Sequence, residues 1–75
     1  MLEKIVDILK EYTDVPRRDI RPESYLVEDL GLNSVDCFAI IFDLEETFQI
    51  EIREEDVPTL RTVGDVSSCL GRMLA

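Results

Sequence analysis

The sequence predicts an all-α fold: a small bundle of three main helices plus one short helix, with a long loop between the first and second helices. Three segments of the 75-residue chain carry apolar residues at intervals of three and four, the period of an amphipathic helix. Two of these segments begin with a strong helix start signal. With 45% hydrophobic residues, residues 1–75 suffice for a single packed domain.

The first helix is predicted at the N-terminus, where apolar side chains repeat along one face. Asp14 and Pro16 end the repeat. A long connection without a sustained period follows, up to about residue 32, and ordered loops of this length are commonly functional. We expect Leu26 and Leu30 to fasten it to the core. The repeat of the first helix consists of Leu2, Ile5, Val6, Leu9 and Tyr12.

The second helix is predicted to begin after Asn33, a favoured N-cap residue, and to run to about Phe48. Asp36 lies in its first turn, where negative charge suits the helix dipole. The helical period separates its side chains into three rows. The expected core row is Cys37, Ile41, Leu44 and Phe48, an acidic row of Asp36, Asp43 and Glu46 lies roughly opposite, and a third, apolar row is Val35, Phe38 and Phe42.

The last third of the chain is predicted to hold a linker, the short helix and the third main helix. Residues 50–52 alternate like a strand but have no partner, so we interpret them as an extended linker whose last isoleucine turns inward. Residues 54–60 are expected to form one short helical turn. Thr62 then caps the last helix, with Asp65 completing a capping box. The buried face of this helix is predicted to be Val63, Val66, Leu70 and Met73.

The net charge of −9 lies entirely in the middle of the chain. Residues 28–56 contain ten acids and one base, whereas the rest of the chain has seven of each. Such a surface repels the phosphates of nucleic acids and of anionic membranes, so we expect neither as a partner. The ten acids are Glu28, Asp29, Asp36, Asp43, Glu45, Glu46, Glu51, Glu54, Glu55 and Asp56, and the base is Arg53.

The sequence also predicts a cytoplasmic location. Acids at Glu3 and Asp7 interrupt the first apolar run, which therefore lacks the form of a secretory signal. The longest apolar run is far shorter than the ~20 residues that span a bilayer. The two cysteines of such a chain, Cys37 and Cys69, are expected to be reduced core residues.

Little catalytic chemistry is available to this chain. It has no histidine, its cysteines are far apart and it lacks a calcium-loop pattern, so we expect no metal site. Neither cysteine has a neighbouring histidine base, and a bundle of this size has little room for a cleft with paired carboxylates. We therefore expect that the protein is not an enzyme.

Ser34 is the remaining candidate for chemistry. We expect it to be exposed in the first turn of the second helix, beside unpaired backbone N–H groups that stabilise an anion such as a phosphate ester. The stretch EDLGLNSVD, residues 28–36, resembles the attachment motif E-D-L-G-x-D-S-L-D of acyl carrier proteins. The segments LEETF at 44–48 and IEI at 50–52 also resemble that family's pattern, so the resemblance covers essentially the whole chain.

The resemblance implies that Ser34 carries 4'-phosphopantetheine, on whose terminal thiol acyl groups are held as thioesters. The chain would deliver these groups to enzymes of fatty acid, polyketide or related biosynthesis, and would open a pocket between its helices for the acyl chain. The carrier is expected to be a monomer. Its implied partners are a phosphopantetheinyl transferase and the acyl-transferring and acyl-modifying enzymes, which would present basic docking patches. The residues assigned to docking are Val35, Asp36, Phe42, Asp43, Glu45 and Glu46.

Two departures and two alternatives accompany this interpretation. Asn33 and Val35 replace the aspartate and leucine that flank the serine in the family, which indicates a specialised carrier. A carrier of aminoacyl or aryl groups is one alternative, although the strong acidity favours a fatty acyl or polyketide carrier. The other is an unmodified acidic helical adaptor that binds a basic protein partner. Modification of Ser34 separates the adaptor from the carriers.

Overall fold

The computed structural model describes all 75 residues and contains three α-helices and two 3-10 helices, with no strand. The predicted fold class is confirmed, including the short helix and the long connection between the first two main helices. One further 3-10 turn lies inside that connection and was not predicted. In chain order the elements are α1 (Leu2–Leu9), η1 (Arg17–Asp19), α2 (Ser34–Phe48), η2 (Glu54–Thr59) and α3 (Val63–Leu74).

The second and third main helices begin in the same way, with a capping box. In α2 the Asn33 side chain accepts a hydrogen bond from the Asp36 N–H (2.8 Å), and the Asp36 carboxylate accepts one from the Asn33 N–H (3.3 Å). In α3 Thr62 and Asp65 exchange equivalent bonds of 3.0 Å. The backbone N–H groups of Thr62 and Arg61 donate to the Asp65 carboxylate and hold its pKa below the ordinary value. Each box satisfies donors that a helix start leaves unpaired.

The core forms where one face of each main helix meets the others. Burial of its apolar side chains is the main favourable term in the stability of the fold. The buried face of α3 agrees with the prediction except at Met73, which is only half-buried, and Cys69 joins it. The side chains with no accessible surface are Ile5 and Leu9 of α1, Leu44 of α2, and Val63 and Leu70 of α3.

The buried stripe of α1 is wider than the predicted repeat and shorter along the chain. Ile8, which the repeat omits, is buried together with the predicted residues of the helix interior. Leu2 is exposed because it lies in the first turn, at the end of the bundle. Tyr12 lies beyond the end of α1 and is half-buried.

The buried stripe of α2 differs from the predicted row. Ile40 and Leu44 are buried, whereas Cys37, Ile41 and Phe48 are only half-buried. Cys37 and Ile41 line an apolar cavity between α2 and η2, and the empty space leaves part of each side chain accessible. All three still pack against the core, so the predicted row faces the core but is fully buried only at Leu44, and Ile40 is the buried residue that the prediction missed.

The long connection is ordered and holds the start of α2 in place. Leu26 and Leu30 are buried, as predicted. The Thr13 hydroxyl donates a hydrogen bond to the Leu30 carbonyl oxygen (2.8 Å), which ties the loop to the segment that follows α1. Gly31 comes next with a φ of 70°, a left-handed conformation that glycine adopts without steric cost. The chain therefore turns at this glycine and enters α2 in a fixed direction.

A second set of hydrogen bonds joins the connection to the start of α3. Tyr25 and Thr62 form an antiparallel bridge, and the Gly64 N–H donates to the Pro22 carbonyl oxygen (2.7 Å). A Cβ atom on residue 64 would lie 2.9 Å from that oxygen, so the close approach requires glycine. A glycine inside a helix costs about 1 kcal/mol relative to alanine. Contact with the loop explains why α3 contains one here.

None of the three main helices combines the length and the apolarity that crossing a bilayer requires. Nowhere in the chain do three or more His, Cys, Asp or Glu side chains come together as ligands for a metal ion. Cys37 and Cys69 are free thiols, half-buried and buried respectively.

Candidate functional site

Ser34 is the first residue of α2, and its side chain is exposed. Asn33 caps the helix, while the backbone N–H groups of Ser34 and Val35 have no hydrogen-bond partner. Unpaired N–H groups at a helix start, together with the helix dipole, favour a negatively charged group nearby. The position therefore combines an accessible hydroxyl with a local environment that stabilises an attached phosphate.

An apolar cavity opens beside Ser34. Its outer part, of about 190 Å³, is lined by Ser34, Val27 and Phe38 together with three side chains of the interhelical cleft. Its inner part, of about 130 Å³, is lined only by apolar residues of α2, η2, α3 and the long connection. Both parts share Cys37, Ile41 and Val57, so they adjoin along one cleft between α2 and η2. Dry apolar cavities of ~150 Å³ are known to hold small hydrocarbons.

One exposed row of α2 is apolar. Val35, Phe38 and Phe42 expose 75%, 68% and 60% of their surface and follow one another at spacings of three and four. Large apolar side chains grouped in this way on a surface mark an interaction site more often than isolated ones do. Phe38 was not among the predicted docking residues, although its row was recognised. The sequence did indicate this surface, because α2 has two rows of apolar side chains and contact with the core requires only one of them.

Three of the four acidic residues assigned to docking also make bonds within the fold. Asp36 belongs to the capping box, and Glu45 accepts a hydrogen bond from the Ile52 N–H (2.8 Å). Asp43 accepts one from the Tyr12 hydroxyl (2.6 Å). All three are half-buried, whereas Glu46 is exposed and its carboxylate makes no such bond. The acidic row therefore lies along a flank of α2 rather than opposite the core.

The bond between Tyr12 and Asp43 joins the segment after α1 to the middle of α2. The hydrogen bond that the phenol donates to the Asp43 carboxylate, together with burial and the charges of Asp43, Glu11 and Asp36, raises the pKa of Tyr12 to about 12. The phenol therefore stays protonated at neutral pH and remains a donor. One oxygen of Asp43 is held in place by this bond, and the orientation of the carboxylate is fixed with it.

Cys37 is a lining residue rather than a reactive group. It lies one turn after Ser34 on the side of α2 that faces the cavity. Burial, and to a lesser extent the charge of Asp36, raises the pKa of the Cys37 thiol. A thiol with a raised pKa is a poor nucleophile at neutral pH. The Cys37 side chain therefore serves as a small apolar residue that lines both the outer and the inner part of the cleft.

Similarity to known proteins decides the family. The family described as a phosphopantetheine attachment site matches residues 3–70. An acyl carrier protein of Syntrophobacter fumaroxidans is 40% identical over 72 residues, which cover 96% of this chain and 89% of that protein. The chain belongs to the acyl carrier protein family.

Solved structures agree with this assignment. A solved structure from Mycobacterium tuberculosis, described as that of a putative acyl carrier protein, is 32% identical to this chain and has a TM-score of 0.76. The match covers 96% of this chain and 97% of that one. The acyl carrier protein of Enterococcus faecalis has a TM-score of 0.84 over 96% of this chain and 91% of its own, at 24% identity. At that identity the second likeness shows the shared fold alone.

The start of α2 fits the cofactor of acyl carrier proteins. 4'-Phosphopantetheine supplies a flexible arm whose terminal thiol holds acyl groups as thioesters. Ser34 offers an exposed hydroxyl at the right kind of helix start, and two free N–H groups adjoin it. The apolar cleft that begins at Ser34 offers an alkyl chain a place away from water. Asn33, where the family motif has aspartate, keeps the cap but lacks the charge.

Proposed function

We propose that this protein holds 4'-phosphopantetheine on Ser34 through a phosphodiester and presents tethered acyl groups to fatty acid, polyketide or related biosynthetic enzymes. The observation that carries the proposal is the position of Ser34: exposed, first in α2 and at the mouth of an apolar cavity. The protein catalyses no reaction itself and acts as a monomer in the cytoplasm. Tethering raises the effective concentration of the acyl group to roughly millimolar once the carrier has docked.

The other three serines make poor attachment points. Ser24 is buried, and its hydroxyl oxygen accepts a hydrogen bond from the Arg21 N–H (2.9 Å). Ser67 and Ser68 lie inside α3, where backbone N–H groups are already used by the helix. Only Ser34 combines exposure with free N–H groups at a helix start. This difference supports attachment at Ser34 independently of the motif around it.

The attachment is tested by mass spectrometry of the intact protein. The chain is co-expressed with a broad-specificity phosphopantetheinyl transferase, alongside Ser34→Ala and the control Ser68→Ala, which removes an exposed serine of α3. We expect one added phosphopantetheine on the wild type and on Ser68→Ala, and none on Ser34→Ala. If several transferases leave the wild type unmodified, the acidic adaptor becomes the better hypothesis.

Docking is proposed on the exposed side of α2. The apolar row of Val35, Phe38 and Phe42 would enter an apolar recess on a partner enzyme, while acidic neighbours meet Lys or Arg around it. Charge complementarity of this kind mainly sets the association rate and the orientation, and it weakens with salt. Weak and fast docking suits a carrier that visits several enzymes. The acidic residues assigned to this role are Asp36, Asp43, Glu45 and Glu46.

The acidic residues differ in whether a substitution changes only the charge or also breaks a hydrogen bond within the fold. Glu46→Lys alters charge alone, whereas Asp43→Lys also removes the acceptor of the Tyr12 hydroxyl. We expect the double variant to slow transferase loading at low salt and to approach the wild type at high salt. A matched control carries the same charge change at exposed residues elsewhere, Glu3→Lys with Glu23→Lys. Equal slowing in both double variants would mean that overall charge, and not this surface, governs loading.

A single variant isolates the bond that orients Asp43. Tyr12→Phe removes the hydroxyl while keeping the ring, so the carboxylate of Asp43 keeps its charge but loses its fixed orientation. If orientation matters, loading slows modestly without any change of net charge. Unchanged loading in Tyr12→Phe would assign Asp43 a purely electrostatic role.

A further inference from the structure

The cleft beside Ser34 has a branch that the acyl cavity does not account for. A groove of about 470 Å³ runs between residues 25–28 of the long connection and residues 60–61 that precede α3. It shares Val27 and Cys37 with the outer cavity at Ser34, and Leu26, Cys37 and Leu60 with the inner apolar cavity. The groove therefore adjoins both the attachment point and the place available to an alkyl chain.

The two branches differ in chemistry. The inner cavity is lined by apolar side chains alone, whereas the groove carries Tyr25, Glu28 and Arg61 on an apolar base. The two salt bridges of the protein are Arg17–Asp7 and Arg53–Glu55, so the guanidinium of Arg61 makes no salt bridge, although its charge helps to lower the pKa of Asp65. Of the residues that line these three connected spaces, Arg61 is the only base. The groove thus offers unpaired donors and an acceptor above an apolar base.

The walls of the groove are held together by the backbone. The Leu26 N–H donates to the Arg61 carbonyl oxygen (2.9 Å), and Tyr25 and Thr62 form an antiparallel bridge next to it. The Arg61 N–H is itself bound to the Asp65 carboxylate (3.1 Å). These bonds use only backbone atoms of Arg61, so its side chain is free to meet a ligand. A groove formed in advance loses little entropy when it is filled.

We propose that this groove holds the pantetheine arm while an acyl chain occupies the inner cavity, with Arg61, Glu28 and Tyr25 binding its polar groups. The proposal rests on attachment at Ser34. A pantetheine arm has amide carbonyl groups and a hydroxyl that suit the donors of Arg61 and Tyr25, and amide N–H groups that suit the Glu28 carboxylate. Its methyl groups suit the apolar base formed by Leu26, Val27 and Leu60. The apolar inner cavity cannot satisfy those polar groups.

The consequence is a carrier that shields its thioester by binding both parts of its cargo. A released arm exposes the thioester to water, whereas an arm bound along the groove keeps it beside the inner cavity. Loss of one hydrogen bond, typically 0.5–1.5 kcal/mol, should lower the equilibrium ratio of bound to released arm by roughly 2- to 10-fold. Arg61 acts as a positioning residue and takes part in no chemical step.

The experiment compares ¹⁵N-labelled apo, pantetheinylated and octanoyl-loaded protein by two-dimensional NMR, with the mass of each sample checked first. Arg61→Ala is compared with Arg53→Ala, which makes the same charge change at an exposed residue outside the groove. We expect octanoyl loading to shift the amides of Tyr25, Glu28 and Arg61, which line only the groove, in the wild type and in Arg53→Ala. These shifts should shrink in Arg61→Ala, and cleavage of its thioester by hydroxylamine should be roughly 2- to 10-fold faster.

Each failure has its own signature. A sample of correct mass whose shifts stay next to Ser34 and in the inner cavity overturns the groove proposal and leaves attachment intact. Equal effects of Arg61→Ala and Arg53→Ala also overturn it, because the cause would then be net charge. Absence of any added mass on Ser34 overturns the attachment and the groove together.

Discussion

Helices α2 and α3 begin alike and serve opposite purposes. Both start with a capping box, yet the residue after the cap is the exposed Ser34 in α2 and the fully buried Val63 in α3. The body of α3 buries one continuous face, whereas α2 shows Phe38 and Phe42 to solvent. The start signal therefore fixes where a helix begins, and the side chains behind it decide whether the helix anchors the fold or displays a surface.

The largest difference between the two helices is expected in how much a truncated side chain destabilises the fold: a buried residue of α3 should matter far more than one in the exposed row of α2 formed by Val35, Phe38 and Phe42. Leu70→Ala removes a fully buried side chain of α3 and should lower the free energy of unfolding by about 2–5 kcal/mol. Phe42→Ala, on the exposed row of α2, should change it by no more than about 0.5 kcal/mol. Urea denaturation followed by circular dichroism measures both. A loss above ~2 kcal/mol in Phe42→Ala would contradict the view of this row as surface.

The next effect concerns the glycines of α3. Gly64→Ala places a Cβ 2.9 Å from the Pro22 carbonyl oxygen and should cost about 1–3 kcal/mol, since the loop must move away. Gly71→Ala is the matched control: open space surrounds its Cβ, so the better helix propensity of alanine should stabilise by up to about 1 kcal/mol. Thermal unfolding of the two variants should therefore shift in opposite directions. A gain of stability in Gly64→Ala would show that the loop does not need this contact.

A smaller effect separates the two caps. Asn33→Ala and Thr62→Ala each remove one capping side chain, and each should cost about 1 kcal/mol. Loading by a transferase should slow only in Asn33→Ala, because that cap orders the first turn around Ser34. Asn33→Asp keeps the cap and adds the charge of the family motif, so it should be loaded at least as fast as the wild type. Slow loading of Thr62→Ala would indicate that stability, and not local order, limits the reaction.

The smallest effect is a change of protein stability with pH, which arises from Asp65 in the first turn of α3. Backbone N–H groups of Thr62 and Arg61 lower the pKa of Asp65 from its ordinary value of 3.8. A lowered pKa in the folded state means that the carboxylate stabilises the fold above the ordinary value. This contribution disappears as the pH falls through the lower, folded value. Asp65→Asn should therefore flatten the acid side of the stability profile, measured by urea denaturation across that range. An unchanged profile would contradict the assigned role.

Helix starts were the most predictable part of this fold. Asn33 and Thr62 carry their own signal, because a capping box needs only residues three positions apart. The bounds of α2 and the inward Ile52 followed from the same local reasoning. Ser34 was singled out as a candidate by its expected position in the first turn of α2 and by the resemblance of residues 28–36 to the attachment motif.

The packing of α2 could not be predicted in the same way. The helical period indicates which row of α2 faces the core, but it does not say how deeply each side chain of that row is buried. The burial of Ile40 and the half-burial of Ile41 depend on where η2 lies, and the bonds from Tyr12 and the Ile52 N–H to acids of α2 join distant parts of the chain. The need for glycine at position 64 likewise depends on its contact with Pro22, a residue distant in the sequence.

The displayed row of α2 has a consequence for handling the protein in solution. Copies that expose Val35, Phe38 and Phe42 would associate through these side chains if nothing held them apart, and the charge of −9 does so at neutral pH. That repulsion vanishes near the isoelectric point of about 4.2. Acidification should therefore cloud a concentrated solution while the helices are still folded, and salt should bring clouding on at a higher pH. The acids proposed to attract basic enzymes would therefore also keep copies of the free carrier apart.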